Sequence, residues 1–266
     1  MSITGGLEKC PALIASELQF EGPMPPSGQV VPRPVVTISR QSGSGAHAVA
    51  EKLAAYLEAK APDASFPWKV FDENLIRNVL AEHKLPRRFA RYMVEDRASE
   101  LPDLMDELLG THPPFRELVH HTEETILRLA ERGNVILIGR GANVITSKLS
   151  HVLHVRLVAP LEKRVEHIRR IRDLGKEAAL ESVLREDRGR RRYLKRYFGA
   201  EIEDPLLYHL VLNTGLISTG TAACMIGDMV LASGATGLQK APLRGRRPRR
   251  TIHHLAHGKE SAGGFQ

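Results

Sequence analysis

Short apolar runs alternate with helical patterns along the middle of the chain, and a glycine-rich turn closes the first run. Val35-Val36-Thr37-Ile38 is apolar and β-branched, which reads as a buried strand. The turn from Ser39 to His47 follows it, and Val49, Leu53, Ala54 and Leu57 then recur at helical spacing. Trp68-Lys69-Val70-Phe71 reads as a second strand ending at Asp72, with helical segments expected from about Leu75 to Glu107. Phe115, Leu118, Val119, Thr122, Ile126 and Leu129 mark another helix face, and Gly133 is placed to stop it. Asn134 to Ile138, Val152 to Val158 and Leu207 to Leu212 are the remaining expected strands. Pro160 is placed in the first turn of the helix that carries Val165, Ile168 and Ile171, and a last helix is expected from about Ser218 to Leu231.

Continuous apolar strands separated by helices predict an α/β fold, a parallel sheet covered on both faces. Right-handed crossovers then bring every strand's C-terminal end to one edge, where ligands of such sheets bind. The glycine turn, Asp72, Gly139-Arg140 and Asn213-Thr214 each follow an expected strand, so they are predicted to converge there. The alternation spans residues 34–232, which read as one domain. Residues 1–33 are rich in Pro and Gly and read as a mobile leader; residues 233–266 read as a basic, disordered tail.

Lys and Arg number 38 against 31 Asp and Glu, for a net charge of +7. Such a balance attracts polyanions, among them nucleotides, nucleic acid and anionic membranes. Much of the excess lies in Arg185 to Arg196 and in Arg244 to Arg250. Cys10 and Cys224 are the 2 cysteines; this speaks against a disulfide framework and fits a reducing cytoplasm. No secretory signal is expected, because Ser16, Glu17 and Gln19 interrupt Ala12 to Phe20. Asp228 interrupts Leu216 to Ala232, which reads as a buried helix and not as a membrane span. The histidines, including His120-His121 and His253-His254, form no metal-ligand set with carboxylates.

The turn Ser39-Arg40-Gln41-Ser42-Gly43-Ser44-Gly45-Ala46-His47 has the context of a phosphate loop: strand before, helix after, glycines that let successive N–H groups wrap an anion. Against the pattern G-x-x-x-x-G-K-[ST], Arg40 stands at the first Gly, Ala46 at the Lys and His47 at the Ser/Thr. The pattern alone is equally compatible with a plain strand-to-helix turn. Arg40 is a candidate for the missing cation, as a planar multi-donor group.

Arg185, Arg188, Arg192 and Arg196 stack on one face if their segment is helical. That face reads as a lid over phosphates, as a nucleic-acid surface, or as a solvated helix with Glu181–Arg185 and Asp187–Arg191 pairs; composition favours the last. Gly189 is expected to weaken the helix. Asp72 reads as a helix cap or as a group orienting a substrate hydroxyl or a metal-bound water. Arg140 reads as a substrate-phosphate contact or a surface ion pair, and Arg164 as structural.

Ile38 to Gly45, Phe71-Asp72-Glu73-Asn74-Leu75-Ile76 and Ile138-Gly139-Arg140-Gly141-Ala142-Asn143 resemble successive motifs of the cytidylate kinase-like family. Asp187-Arg188-Gly189-Arg190 through Tyr197-Phe198, Asp204 to Tyr208 and Leu212-Asn213-Thr214 continue the resemblance, which covers about Val35 to Leu231. It implies a P-loop nucleoside-monophosphate-kinase fold, with five parallel strands and a helical lid. It also implies transfer of the ATP γ-phosphoryl to a nucleotide or other small acceptor, CMP in true cytidylate kinases, with Mg²⁺ bridging phosphates. By the same resemblance Ser42, Gly43, Ser44, Gly45, Ala46 and His47 hold the ATP phosphates, Asp72 and Arg140 lie on the acceptor side, and Arg188 and Arg192 belong to the lid. True cytidylate kinases keep the loop Lys and the Ser/Thr after it, where this chain has Ala46 and His47; Arg40 with a lysine-less turn is typical of the kinase-like branch. Three readings follow: an ATP-dependent kinase, a catalytically silent nucleotide-binding module, and a polyanion binder acting through Arg190 to Arg196 and the basic tail.

Overall fold

The computed structural model describes residues 32–62, 66–72 and 115–233. The helical segments expected between Leu75 and Glu107, residues 1–31 of the leader and residues 234–266 of the tail lie outside these.

The first strand, β1 (Val35–Arg40), leads through the glycine turn into α1 (Ala46–Lys60). Next come β2 (Lys69–Phe71), α2 (Phe115–Arg132), β3 (Val135–Ile138), the single turn α3 (Ala142–Ile145) and β4 (Val152–Val158). The helical hairpin α4 (Leu161–Arg172) and α5 (Lys176–Phe198) follows, then β5 (Leu210–Asn213) and α6 (Thr219–Ser233). The sheet has five strands in the order β2-β3-β1-β4-β5. Every pair is parallel, with Val35 opposite both Val135 and Val152.

Burial on both faces explains why these strands read as unbroken apolar runs. Val36, Ile38, Leu153, Val155 and Leu157 face Val49, Leu53 and Leu57 of α1 and Ala222 and Ile226 of α6. Val35, Leu137 and Val152 face the other way, onto Ile126 and Leu129 of α2. Leu53 and Leu57 are fully buried, and truncating such a side chain to Ala costs about 2–5 kcal/mol. This is the α/β, three-layer nucleoside-monophosphate-kinase arrangement expected from the sequence. Because all strands run parallel, the segments after β1, β2, β3 and β5 open on one edge.

The structure corrects several details. Leu207 to Leu212 is not one strand: Pro205–Leu207 is a 3-10 turn, capped by the Asp204 side chain accepting from the Leu206 N–H, and β5 starts at Leu210. Asn134 has φ 52°, so β3 begins one residue later than expected. Pro160 is the cap residue before α4 and not its first helical residue. Gly189 is buried within an unbroken α5. Neither expected ion pair on α5 forms: Asp187 turns to Arg164 and Arg190, and Arg191 to Glu203.

Candidate active site

The glycine turn sits where β1 ends and α1 begins. Gly43 and Gly45 have φ 78° and 79°, left-handed values that other L-residues rarely adopt. Space also demands glycine at position 43, since a Cβ there would lie 2.4 Å from the Arg164 carbonyl oxygen. The Ser44 hydroxyl donates to Gln41 O at 2.8 Å, and the Thr214 hydroxyl after β5 donates to Ser44 O at 2.8 Å. Gln41 is pinned in turn, accepting the Ala159 N–H at 3.0 Å. Among the described residues the amides of Gly43, Gly45, Ala46 and His47 have no acceptor. They lie on a left-handed turn and at a helix N-terminus, a concentration of N–H donors and partial positive charge suited to an anion.

The Ser42 end of the turn is differently arranged. Its N–H donates to Asp187 Oδ1 at 2.7 Å and its hydroxyl to Glu186 Oε2 at 2.5 Å, both from α5. Three guanidinium groups hold these carboxylates. Arg164 Nη1 donates to Asp187 Oδ2 at 2.7 Å and to Ser42 O at 3.1 Å, while its Nε donates to Ala159 O. Arg190 Nη2 reaches Asp187 Oδ1 at 2.8 Å, and Arg172 Nη1 reaches Glu186 Oε1 at 2.5 Å. Burial pushes the Glu186 carboxyl up. Hydrogen bonds from Arg172 and Ser42 and the charges of Arg172 and Arg190 outweigh this and hold it below the ordinary Glu value. Arg190 is buried, and its Nε has no partner among the described residues.

The neighbouring strand ends carry the other candidates. Asp72, after β2, is 3.1 Å from His47 Nδ1, while His47 Nε2 is 3.1 Å from Glu51. Arg140 lies between Gly139 and Gly141 after β3, at φ 58°, and is buried. Phe198 at the end of α5 closes on that turn: a Cβ on Gly141 would be 2.6 Å from its ring. Below the turn a polar layer fills the α2 side of the sheet. Arg156 Nη1 donates to Ser39 Oγ at 2.9 Å, and the Tyr208 hydroxyl, 3.2 Å from the same oxygen, donates to Ile202 O. His154 contacts the Thr37 hydroxyl at 2.9 Å and stacks on His209; burial first, then His209, pushes its pKa down to about 3, so it is neutral.

Thus Ser42 to His47, Asp72 and Arg140 share one edge. Arg40 ends β1, half-buried beside the turn. Arg188 and Arg192 are exposed on the side of α5 turned away from Ser42. Arg164, Glu186 and Asp187, which bond to Ser42, and Arg190, which bonds to Asp187, were not singled out in the sequence as site residues. A signal for three of them exists: Ala179, Val183, Tyr193 and Leu194 set the buried phase of α5, and Glu186, Asp187 and Arg190 share it.

The loop donors fit a phosphate chain. The hydroxyl that commonly ligands Mg²⁺ at position 47 is replaced by His47, whose ring is engaged by Asp72 and Glu51.

Residues 35–216 match the model of the cytidylate kinase-like family. A cytidylate kinase of Ignicoccus hospitalis is 27% identical over 74% of this chain and 99% of its own length. A cytidylate kinase of Methanocaldococcus jannaschii is 24% identical over 52% of this chain and 80% of its own. The crystal structure of an uncharacterized protein from Eubacterium ventriosum superposes with a TM-score of 0.55 at 19% identity, covering 75% of this chain and 99% of the other; that likeness bears on the fold.

Proposed function

The chain belongs to the cytidylate kinase-like family, and from that premise we propose that it transfers the γ-phosphoryl of ATP to a nucleoside monophosphate of the CMP type or another small acceptor. One observation carries this reading: the glycine turn offers the amides of Gly43, Gly45, Ala46 and His47, without acceptors among the described residues, at the binding edge of a parallel sheet. These groups would hold the phosphates. Arg40, Arg164 and Arg190 supply the positive charge that a loop lysine supplies elsewhere, and such charge is effective where negative charge moves during transfer. Asp72 and Arg140, at the ends of the strand pair β2–β3, would take the acceptor, its phosphate on Arg140. Arg188 and Arg192 would contact substrate only after α5 turns. Mg²⁺ accompanying ATP would screen the phosphate charge.

Calorimetric titration with ATP, followed by a transfer assay across nucleoside monophosphates with CMP first, tests the reading. Binding and turnover support it. Binding without transfer to any acceptor leaves a nucleotide-binding module, the reading favoured by Ala46 and His47 at the lysine and hydroxyl positions. Absence of ATP binding sinks both.

A further inference from the structure

We propose that Glu186 and Asp187 form an internal latch on the glycine turn, holding the Ser42 amide and hydroxyl where a phosphate oxygen would otherwise be received, so that nucleotide must displace them. The inference rests on the phosphate-binding reading of the turn and adds a regulatory contact to it.

Carboxylate and phosphate oxygens are the same kind of acceptor for an N–H or O–H donor. Asp187 Oδ1 takes the Ser42 N–H across 145 residues of chain, and Glu186 Oε2 takes the Ser42 hydroxyl across 144. The contact is braced throughout. Asp187 Oδ2 is held by Arg164, Asp187 Oδ1 also by Arg190, and Glu186 Oε1 by Arg172 and the Ser182 hydroxyl. The turn is therefore half occupied: the latch fills its Ser42 end, while the amides from Gly45 to His47 keep their capacity for an anion.

The arginines make exchange feasible. Three guanidinium groups face two carboxylates, so the cluster stays net positive. Arg164 would remain beside the turn after Asp187 withdraws, because Ala159 O and Ser42 O also hold it. Arg190 already has a buried Nε without an acceptor, which a phosphate oxygen could satisfy. A chain mostly in the latched state binds nucleotide with an apparent affinity reduced by the fraction unlatched.

The test is titration of the full chain with ATP and with inorganic tripolyphosphate, which lacks the base. Asp187→Asn and Glu186→Gln keep size and polarity but discharge the latch, and each is expected to bind both probes roughly 10-fold more tightly. Removing any nearby negative charge tightens anion binding somewhat. Glu181→Gln, exposed on the outer side of α5 and not touching Ser42, gauges that effect and should stay within about twofold. Hydrogen exchange adds a readout that charge alone would not move: the Ser42 amide should exchange slowly in the unliganded protein and faster in Asp187→Asn, whose neutral amide oxygen is a weaker acceptor. Should Asp187→Asn not fold, Glu186→Gln decides by its affinity. Unchanged or weaker binding in the variants, with the parent protein binding ATP, overturns the latch and leaves the loop reading intact. No binding of either probe by any form overturns the loop reading, and the latch with it.

Discussion

Arg188 and Arg190 are two residues apart on α5 and stand in opposite electrostatic surroundings. Arg190 is buried, 8% exposed, against Glu186 and Asp187. Arg188 faces solvent with Arg185, Arg192 and Arg196. A helix turns about 100° per residue, so an arginine run this dense is two surfaces and not one. On the inner surface each charge is partly desolvated and closely paired, so losing a partner is costly. On the outer one water and salt screen the charges, and losing one costs little.

Asp187→Ala should break this contrast most severely. It strands the Arg164 guanidinium, whose side chain is 8% exposed, and a cost of about 3 kcal/mol is expected in urea unfolding. A cost near that of an outer-face substitution would mean the inner cluster is not electrostatically distinct. Gly43→Ala attacks the same junction through the backbone. At φ 78° with a Cβ 2.4 Å from Arg164 O, it should cost about 1–3 kcal/mol and loosen the turn from α4. The loss should appear in thermal melts and in ATP affinity.

The pH dependence sharpens the comparison. The Glu186 carboxyl is held below its ordinary value, so the unfolded chain binds its proton first as pH falls. Its contribution is complete above the ordinary Glu value of 4.5 and is lost as pH drops below that, through the lowered folded value. Urea midpoints measured across acid pH should fall less steeply in Glu186→Gln than in the parent protein; parallel curves would remove Glu186 from the cluster's energetics.

Effects shrink on the outer face. Arg191 pairs with Glu203 at 2.8 Å, but both are about half exposed, so Arg191→Ala should cost about 0–1 kcal/mol, less at high salt. Arg188→Ala and Arg192→Ala should leave stability within about 0.5 kcal/mol. Their turnover is the informative measurement. A loss of kcat at unchanged stability would show that α5 turns to bring this face to substrate; unchanged kcat confines it to the surface.

The sheet was legible because its signals are local. β1 and β4 follow apolar runs buried on both faces, and Gly43 and Gly45 announce a turn that needs left-handed backbone. β5 was read too early because Leu207 is apolar for a different reason. It packs in a small cluster with Val144, Leu194 and Ile202, on a 3-10 turn that the Asp204 cap and Pro205 impose. Arg164 was read as structural, and its bonds are of that kind: it braces Ala159 O, Ser42 O and Asp187 together.

By itself the sequence determined the alternation of strands and helices, and so the edge at which the glycine turn, Asp72 and Arg140 meet, because periodicity and turn chemistry act within a few residues. Only the tertiary structure decided which charges of α5 face that edge. Ser42 meets Glu186 and Asp187 across more than a hundred residues of chain, and such a contact is set by how α4 and α5 pack on the sheet. The turn that lacks a lysine is therefore met directly by Arg164, which donates to Ser42 O, and by Arg190 only through Asp187.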